Sequence, residues 1–287
     1  MDAIGMIGLG LMGGALAQRL RAPHGLRVVG YDPREECRAR LAEIGGEPVQ
    51  SVCEVFGSVK TVVFSLPDSN VVAAVVAEAG DSVRGATIID TTTGEPNATA
   101  ATGKALAAVD CDYLDATLSG TGPDARNGTL VVTAGGKAKV FERIDPVLRL
   151  FGERCFHVGP WGSGARIKLI INLVLGLNRV ALAEGLALAR RCGLEMEQTF
   201  NILRTGAAYS RAMDTKGQRM ISGYFEPHAK LSQHLKDVRL ILETGGEVGA
   251  ALPFSTMHEE VLTELVERGF GECDNSAVIL AFEGEQP

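Results

Sequence analysis

The sequence predicts an α/β protein: a doubly wound, mostly parallel sheet in the first half, then an all-helical second half. Three observations predict it. Short β-branched runs alternate with helical stretches as far as about residue 160. Beyond that point strand-like runs nearly vanish and apolar residues recur at helical spacing. A glycine-rich segment separates the first strand-like run from the first helical one. A β-α-β-α rhythm of this kind folds as a parallel sheet with right-handed crossovers.

Taken in order, Ala3–Ile7, Arg27–Tyr31, Thr61–Leu66 and Thr87–Asp90 are predicted as buried strands, because each is rich in Val, Ile or Thr. Tyr113–Ala116 and Gly128–Thr133 are predicted as two more. Helices are expected over Met12–Leu20, Glu35–Glu43, Asn70–Glu78 and Ala98–Ala107. In the second half Ser163–Arg191 is predicted as one long helix. Leu194–Leu203, Ser210–Ser222, Ala229–Val248 and Ser255–Arg268 follow it as further helices, punctuated by Gly193, Gly206, Pro227, Gly249 and Pro253. The expected domains are residues 1–160 and 161–287, divided in the Gly159–Gly164 segment, with the long helix opening the second.

Composition narrows the function classes. The net charge is −7, and no Lys or Arg run stands out, so nucleic acid is not an expected partner. Six cysteines occur without a Cys-x-x-Cys pair and without His at metal-ligand spacing, which predicts reduced thiols, a cytoplasmic chain and no metal site. The N-terminus lacks the basic flank of a signal peptide. The greasiest stretch, Ile167–Ala189, is interrupted by Lys168, Arg179 and Glu184, so a buried helix is expected there rather than a bilayer span.

Gly8-Leu9-Gly10-Leu11-Met12-Gly13 matches G-x-G-x-x-G. Alone the pattern is weak, because 35 glycines give it chances to arise. Its place between a predicted strand and a predicted helix is what the Rossmann dinucleotide fingerprint requires. Gly8 would make the tight turn, Gly10 would admit a pyrophosphate, and Gly13 would let the helix lie close. The free N–H groups at the helix start would meet the phosphates. Asp32 follows Gly13 by 19 residues, near the ~20 at which an acidic residue reads the ribose hydroxyls of NAD and repels the 2′-phosphate of NADP. Asp32 could instead simply cap the helix beginning near Pro33. Arg34 keeps NADP open as the alternative cofactor.

Five blocks in this order resemble the β-hydroxyacid dehydrogenases, the group that includes 3-hydroxyisobutyrate dehydrogenase and tartronate semialdehyde reductase. They are the glycine loop, Asp90-Thr91-Thr92-Thr93-Gly94-Glu95-Pro96, Asp115-Ala116-Thr117-Leu118-Ser119-Gly120-Thr121, Gly162-Ser163-Gly164-Ala165-Arg166-Ile167-Lys168-Leu169-Ile170-Ile171-Asn172, and Lys236-Asp237. The resemblance implies a Rossmann domain followed by a helical domain, a homodimer or homotetramer, and oxidation of short β-hydroxy acids or reduction of their carbonyl forms. It implies Lys168 as general acid/base, and Ser119, Gly120, Thr121 and Asn172 at the substrate. Leu66, Pro67, Thr93 and Lys236 would join Gly8, Leu9, Gly10, Leu11, Met12, Gly13 and Asp32 at the cofactor.

The chemistry suits these residue types. Oxidising an alcohol with a nicotinamide removes a hydride and a proton, and the protein must handle the proton. A lysine is a useful base near neutrality only if desolvation or a nearby positive charge lowers its pKa. Asn172, four residues on, shares a helix face with Lys168 and could orient it. The blander readings are a snorkelling Lys168, a satisfied core Asn172, a plain Ser-Gly turn and a solvated Lys236.

The sequence departs from the family at Thr121, where a second Gly is usual, at Asp124 and Arg126, and at Ala229 and Gln233. These positions cluster where substrate identity would be set. An imine reductase on the same fold is the first alternative, though those relatives usually lack the lysine. A non-catalytic cofactor-binding protein is the second, which the retention of Lys168 with Asn172 disfavours.

Overall fold

A computed structural model describes residues 3–284. It divides into two compact units, 1–168 and 169–287. The division by contacts falls inside the long helix.

In chain order the first unit comprises β1 (Ala3–Ile7), α1 (Leu11–Arg21), β2 (Arg27–Tyr31), α2 (Glu35–Glu43), β3 (Glu47–Pro48), α3 (Val52–Ser58), β4 (Thr61–Phe64) and α4 (Ser69–Ala79). It continues with β5 (Thr87–Asp90), α5 (Pro96–Ala108), β6 (Asp112–Ser119), α6 (Gly122–Asn127), β7 (Val131–Gly136), α7 (Ala138–Phe151) and β8 (Arg154–Gly159). The eight strands lie in the order β3-β2-β1-β4-β5-β6-β7-β8. Every neighbouring pair is parallel except β6 with β7. Strand order turns back between β1 and β4, and ligands bind such sheets outside the C-terminal strand ends at that point.

Alternate strand residues feed two cores, as the period of two requires. Ile4, Met6, Val28, Val63, Ile89 and Leu114 pack with residues of α1, α2 and α7 on one face. Ile7, Val29, Val62, Phe64, Ile88 and Tyr113 pack with α3, α4 and α5 on the other. A sheet covered on both sides explains why its strands read as unbroken apolar runs.

Several elements differ from expectation. The fifth predicted strand, Tyr113–Ala116, extends to Ser119, because β7 pairs with it along its whole outer half. The predicted Gly128–Thr133 strand is shifted to Val131–Gly136; Gly128 is instead the left-handed C-cap of α6. The expected Thr61–Leu66 strand stops at Phe64. α7 was not expected, although Val140, Ile144, Val147, Leu148 and Phe151 form its buried stripe; Pro146 lies inside it and reads as a breaker. β8 is an edge strand with half-exposed residues, so it carries little apolar signal.

α8 (Ser163–Arg191) begins in the first unit and continues into the second. The second unit then holds α9 (Met196–Thr205), α10 (Gln218–Ser222), α11 (Leu231–Glu247) and α12 (Pro253–Glu267). A π-helical turn at Met213–Gly217 breaks the predicted Ser210–Ser222 helix just before α10. Leu182, Leu186, Phe200, Leu231, Leu235, Leu262 and Leu265 anchor the core. α8 is long and apolar enough to cross a membrane by composition, but Leu182, Ala183 and Leu186 on it are buried in this core.

A buried ion pair ties the unit together. The Lys216 ammonium reaches both oxygens of Asp274 at 2.8 Å. Asp274 also accepts from the His228, Ala229 and Ser276 amides and the Ser276 hydroxyl. Burial pushes the Asp274 carboxyl up, but Lys216 and Ser276 outweigh it and hold the pKa at about 2. Removing one partner of such a pair strands a buried charge, so Lys216→Ala should destabilise this unit by about 3–5 kcal/mol in urea unfolding. Because the folded pKa is depressed, the carboxylate's contribution is full above its unfolded value. In wild type it should be lost as pH falls from ~4 through about 2. An unfolding midpoint flat over that range would contradict the assignment.

Candidate active site

The glycine loop is built by close backbone approach. Gly8 has φ of +90°, and a Cβ there would lie 2.3 Å from the Ser65 carbonyl oxygen. A Cβ on Gly13 would lie 2.0 Å from the Gly8 carbonyl oxygen, so α1 can start here only over a bare Cα. Gly10 is the N-cap of α1 and supplies no side-chain cap, which leaves the first-turn amides free for a ligand. The nearest atom to a Cβ on Gly10 would be Arg34 Nη2 at 3.4 Å. Leu9 and Met12 pack into the core while Leu11 is exposed. A bare Gly10 beside uncapped amides, with only the end of the Arg34 side chain near, fits a pyrophosphate.

Asp32 is buried at the end of β2. It does not cap α2, whose N-cap is Arg34. Its Oδ2 accepts from the Leu9 amide at 2.8 Å and from Arg34 Nη2 at 3.1 Å. Its Oδ1 accepts from the Arg34 amide and Nε, both at 3.0 Å. Arg38 Nη1 donates to the Asp32 carbonyl at 2.6 Å. Burial pushes the Asp32 pKa up, but the Arg34 and Leu9 hydrogen bonds more than offset it and hold it below the ordinary carboxylate value. Each carboxylate oxygen thus already has two donors. A ribose hydroxyl can reach Asp32 only as the Arg34 side chain moves aside.

The two loops beyond β4 and β5 are joined. The Leu66 amide donates to the Thr92 hydroxyl at 3.2 Å, and the Thr91 hydroxyl donates to the Phe64 carbonyl at 2.7 Å. This holds Leu66-Pro67 beside Thr93, which is half-buried. Both lie outside the C-terminal ends of their strands.

β6 ends at Ser119, whose buried hydroxyl has no hydrogen-bond partner among the described residues. Gly120 follows with φ of +141°. Thr121 forms a capping box with Asp124 at the start of α6. The Thr121 amide and hydroxyl both donate to Asp124 Oδ2, at 2.7 and 2.6 Å. Asp124 is therefore a helix-capping residue, and both Thr121 donors are engaged by it. Lys168, half-buried on α8, donates from Nζ to the Leu118 carbonyl at 2.6 Å, one residue before Ser119. The first unit thus brings Lys168 and the Ser119-Gly120 turn together.

In the second unit Asn172 is buried, and its Nδ2 donates to Asp237 Oδ2 at 2.9 Å. Lys236 Nζ lies 3.3 Å from Asp237 Oδ1. Asp237 thereby links Asn172 to Lys236, a role that its place in the Lys-Asp pair did not signal. Ala229 and Gln233 are exposed at the start of α11.

Residues 3–159 match the family model described as the NAD binding domain of 6-phosphogluconate dehydrogenase. Residues 162–282 match that described as NAD-binding of NADP-dependent 3-hydroxyisobutyrate dehydrogenase. The chain belongs to the β-hydroxyacid dehydrogenase family. It is 34% identical to 2-(hydroxymethyl)glutarate dehydrogenase of Eubacterium barkeri, over 98% of this chain and 94% of that one. It is 32% identical to 2-hydroxy-3-oxopropionate reductase of Escherichia coli K12, over 98% and 97%. A crystal structure of 3-hydroxyisobutyrate dehydrogenase from Salmonella typhimurium superposes with a TM-score of 0.89 at 27% identity, covering 98% and 99%. An imine reductase from Pseudomonas sp. superposes less well, at 0.65 and 17% identity, a likeness of fold alone. This β-hydroxyacid dehydrogenase is an NAD(P)-dependent oxidoreductase acting on a CH–OH group.

The glycine geometry makes one cofactor prediction. Gly13→Ala places its methyl against the Gly8 carbonyl, so NADH affinity measured by fluorescence titration should fall at least about tenfold, or 1.4 kcal/mol. Far-ultraviolet circular dichroism should show the fold retained, with any loss confined to the first turn of α1. Undiminished affinity would show that the loop tolerates the methyl.

Proposed function

We propose that this dehydrogenase interconverts a small β-hydroxy acid and its aldehyde or ketone, with Lys168 as general acid/base and NAD as preferred cofactor. The observation that carries the reading is the placement of Lys168 Nζ on the Leu118 carbonyl, directly beside the Ser119 hydroxyl, which has no partner among the described residues. Ser119 and the Gly120 backbone are the donors for the substrate carboxylate. When bound, the nicotinamide takes the hydride in oxidation and gives it in reduction. The chain's part is the proton: neutral Lys168 accepts it from the substrate hydroxyl, and the ammonium returns it to oxygen in reduction. Asn172 stands one turn beyond Lys168 on the same helix. Its amide nitrogen is fixed on Asp237, which leaves its carbonyl oxygen as the hydrogen-bond acceptor.

Arg34 is the residue through which NADP competes. Clamped on Asp32 it neutralises the carboxylate; swung outward it offers a guanidinium to a 2′-phosphate. The departures at Thr121 and Asp124 leave fewer free donors at the carboxylate site than a second glycine would. The exposed Ile170, Val174 and Leu188 on α8 support a homodimer or homotetramer. Six unpaired cysteines support a reducing, cytoplasmic compartment.

Lys168→Ala should lower kcat by about 10²–10⁴-fold, the usual contribution of a general acid/base, while NADH binding stays within about threefold by fluorescence titration. Retained turnover would remove the lysine from the chemistry. Arg34→Ala should weaken NADPH about tenfold through the lost phosphate contact and leave NADH no weaker, since Asp32 is then free for the ribose. Equal losses for both cofactors would rule Arg34 out as the selector. The substrate is found by following NADH and NADPH absorbance with 2-(hydroxymethyl)glutarate, 2-hydroxy-3-oxopropionate, 3-hydroxyisobutyrate and L-threonate, the last named for a dehydrogenase of Escherichia coli K12 that is 30% identical to this chain. No turnover with any of the four would count against a small β-hydroxy acid.

A further inference from the structure

One buried carboxylate in the first unit has no place in the chemistry above. Asp115 sits in β6, 2% exposed, opposite Asp90 on β5 and Gly135 on β7. Burial pushes its pKa up to about 6, against the pull of the Ala165 amide. An apolar side chain in this seat would avoid that desolvation. The carboxylate is therefore held for something other than packing.

Its contacts show what. Asp115 Oδ2 accepts from the Gly162 and Ala165 amides, both at 3.1 Å. These flank the start of α8, where helix geometry leaves N–H groups without internal partners and the helix dipole favours a negative charge. Thr117, two residues further and so on the same side of β6, donates its hydroxyl to the Gly164 carbonyl at 3.0 Å. Leu118 then accepts Lys168 Nζ, and Ser119 follows. The seat is shaped for this contact. A Cβ on Gly164 would lie 2.1 Å from the Asp115 carbonyl oxygen and 2.9 Å from Oδ2. A Cβ on Gly135 would lie 2.4 Å from Asp115 Oδ1.

We propose that Asp115 is a positioning residue, which clamps the first turn of α8 to β6 and so sets where Lys168 Nζ stands relative to Ser119 and Gly120. The proposal rests on Lys168 as the general acid/base. One strand then carries both the substrate turn and the clamp that places the proton-transfer group. A displacement of about 1 Å at such a group lowers turnover about a hundredfold.

The test uses the full-length enzyme and whichever of the four screened acids gives the highest kcat/KM. Asp115→Ala should lower kcat about a hundredfold while KM moves less than about threefold, because Ser119 and Gly120 are untouched. Asp115→Asn keeps an acceptor oxygen for both amides and should recover kcat to within about fivefold. Hydrogen exchange at the Ala165 amide should speed up in Asp115→Ala and not in Asp115→Asn. Should Asp115→Ala fail to fold, Thr117→Val removes the second clamp and should cost about tenfold in kcat with KM held. The proposal is overturned if Ala165 exchange is unchanged in the variant, or if kcat is unchanged while Lys168→Ala is inactive. It is also overturned if Asp115→Asn is as slow as Asp115→Ala. Faster exchange with full activity in both Asp115→Ala and Lys168→Ala would instead sink the lysine's role and leave the clamp standing.

Discussion

The start of α8 against β6 is the constraint on which the rest depends. The α8 and β6 backbones meet there closely enough that only glycine fits at position 164, and the Asp115 side chain leaves no room for a Cβ at Gly135 on β7. A helix start normally finds its partners in its own cap residue or in water. Here the partner is a carboxylate from a central strand, and the helix is thereby indexed to the sheet. An error of register at this first turn would displace Lys168 directly. Lys168 is near that turn, where angular error has least length over which to grow.

The cofactor end is governed by a different kind of contact. There the sheet presents Asp32, and the glycine loop answers with the Leu9 amide, so strand and loop are held by one carboxylate. Arg34 then closes over it from the solvent side. The pair has an exposed half and a buried half: the Arg34 side chain is 55% exposed and that of Asp32 4%. The arginine is consequently the movable partner. A ligand that displaces it must therefore supply Asp32 with donors of its own, because the carboxylate is buried.

Much of this was legible in the sequence, for identifiable reasons. β1, β2 and β5 end where predicted because buried parallel strands are continuous Val/Ile runs bounded by Gly, Pro or Asp. α8 was bounded to the residue, since a glycine-rich entry and Gly193 punctuate it. The misses follow from signals that are weak or non-local. β3 is two residues long and ends in Pro48. α7 is hidden by Pro146, which tertiary packing of its apolar stripe overrides. At the site, the family resemblance pointed to Lys168, Ser119 and Asn172, but neither it nor the residue types told how they are held. Asp115 stood in view within its block, yet its contacts lie 47 and 50 residues away. Likewise Thr121 read as a substrate hydroxyl, and only the capping geometry shows that it faces Asp124.

The Lys216–Asp274 pair has a consequence for how the chain is made. The two residues are 58 apart in sequence, and the carboxylate emerges from the ribosome second. The first unit has its whole sheet in hand long before that moment and can fold as it is synthesised. The helical unit cannot complete its core before Asp274 and the buried Ala277, Val278 and Ile279 exist. During that interval the apolar length of α8 is already outside the tunnel and without its core. Synthesis past Asp274 is therefore a precondition for closing the buried pair of the helical unit, and no such precondition applies to the sheet.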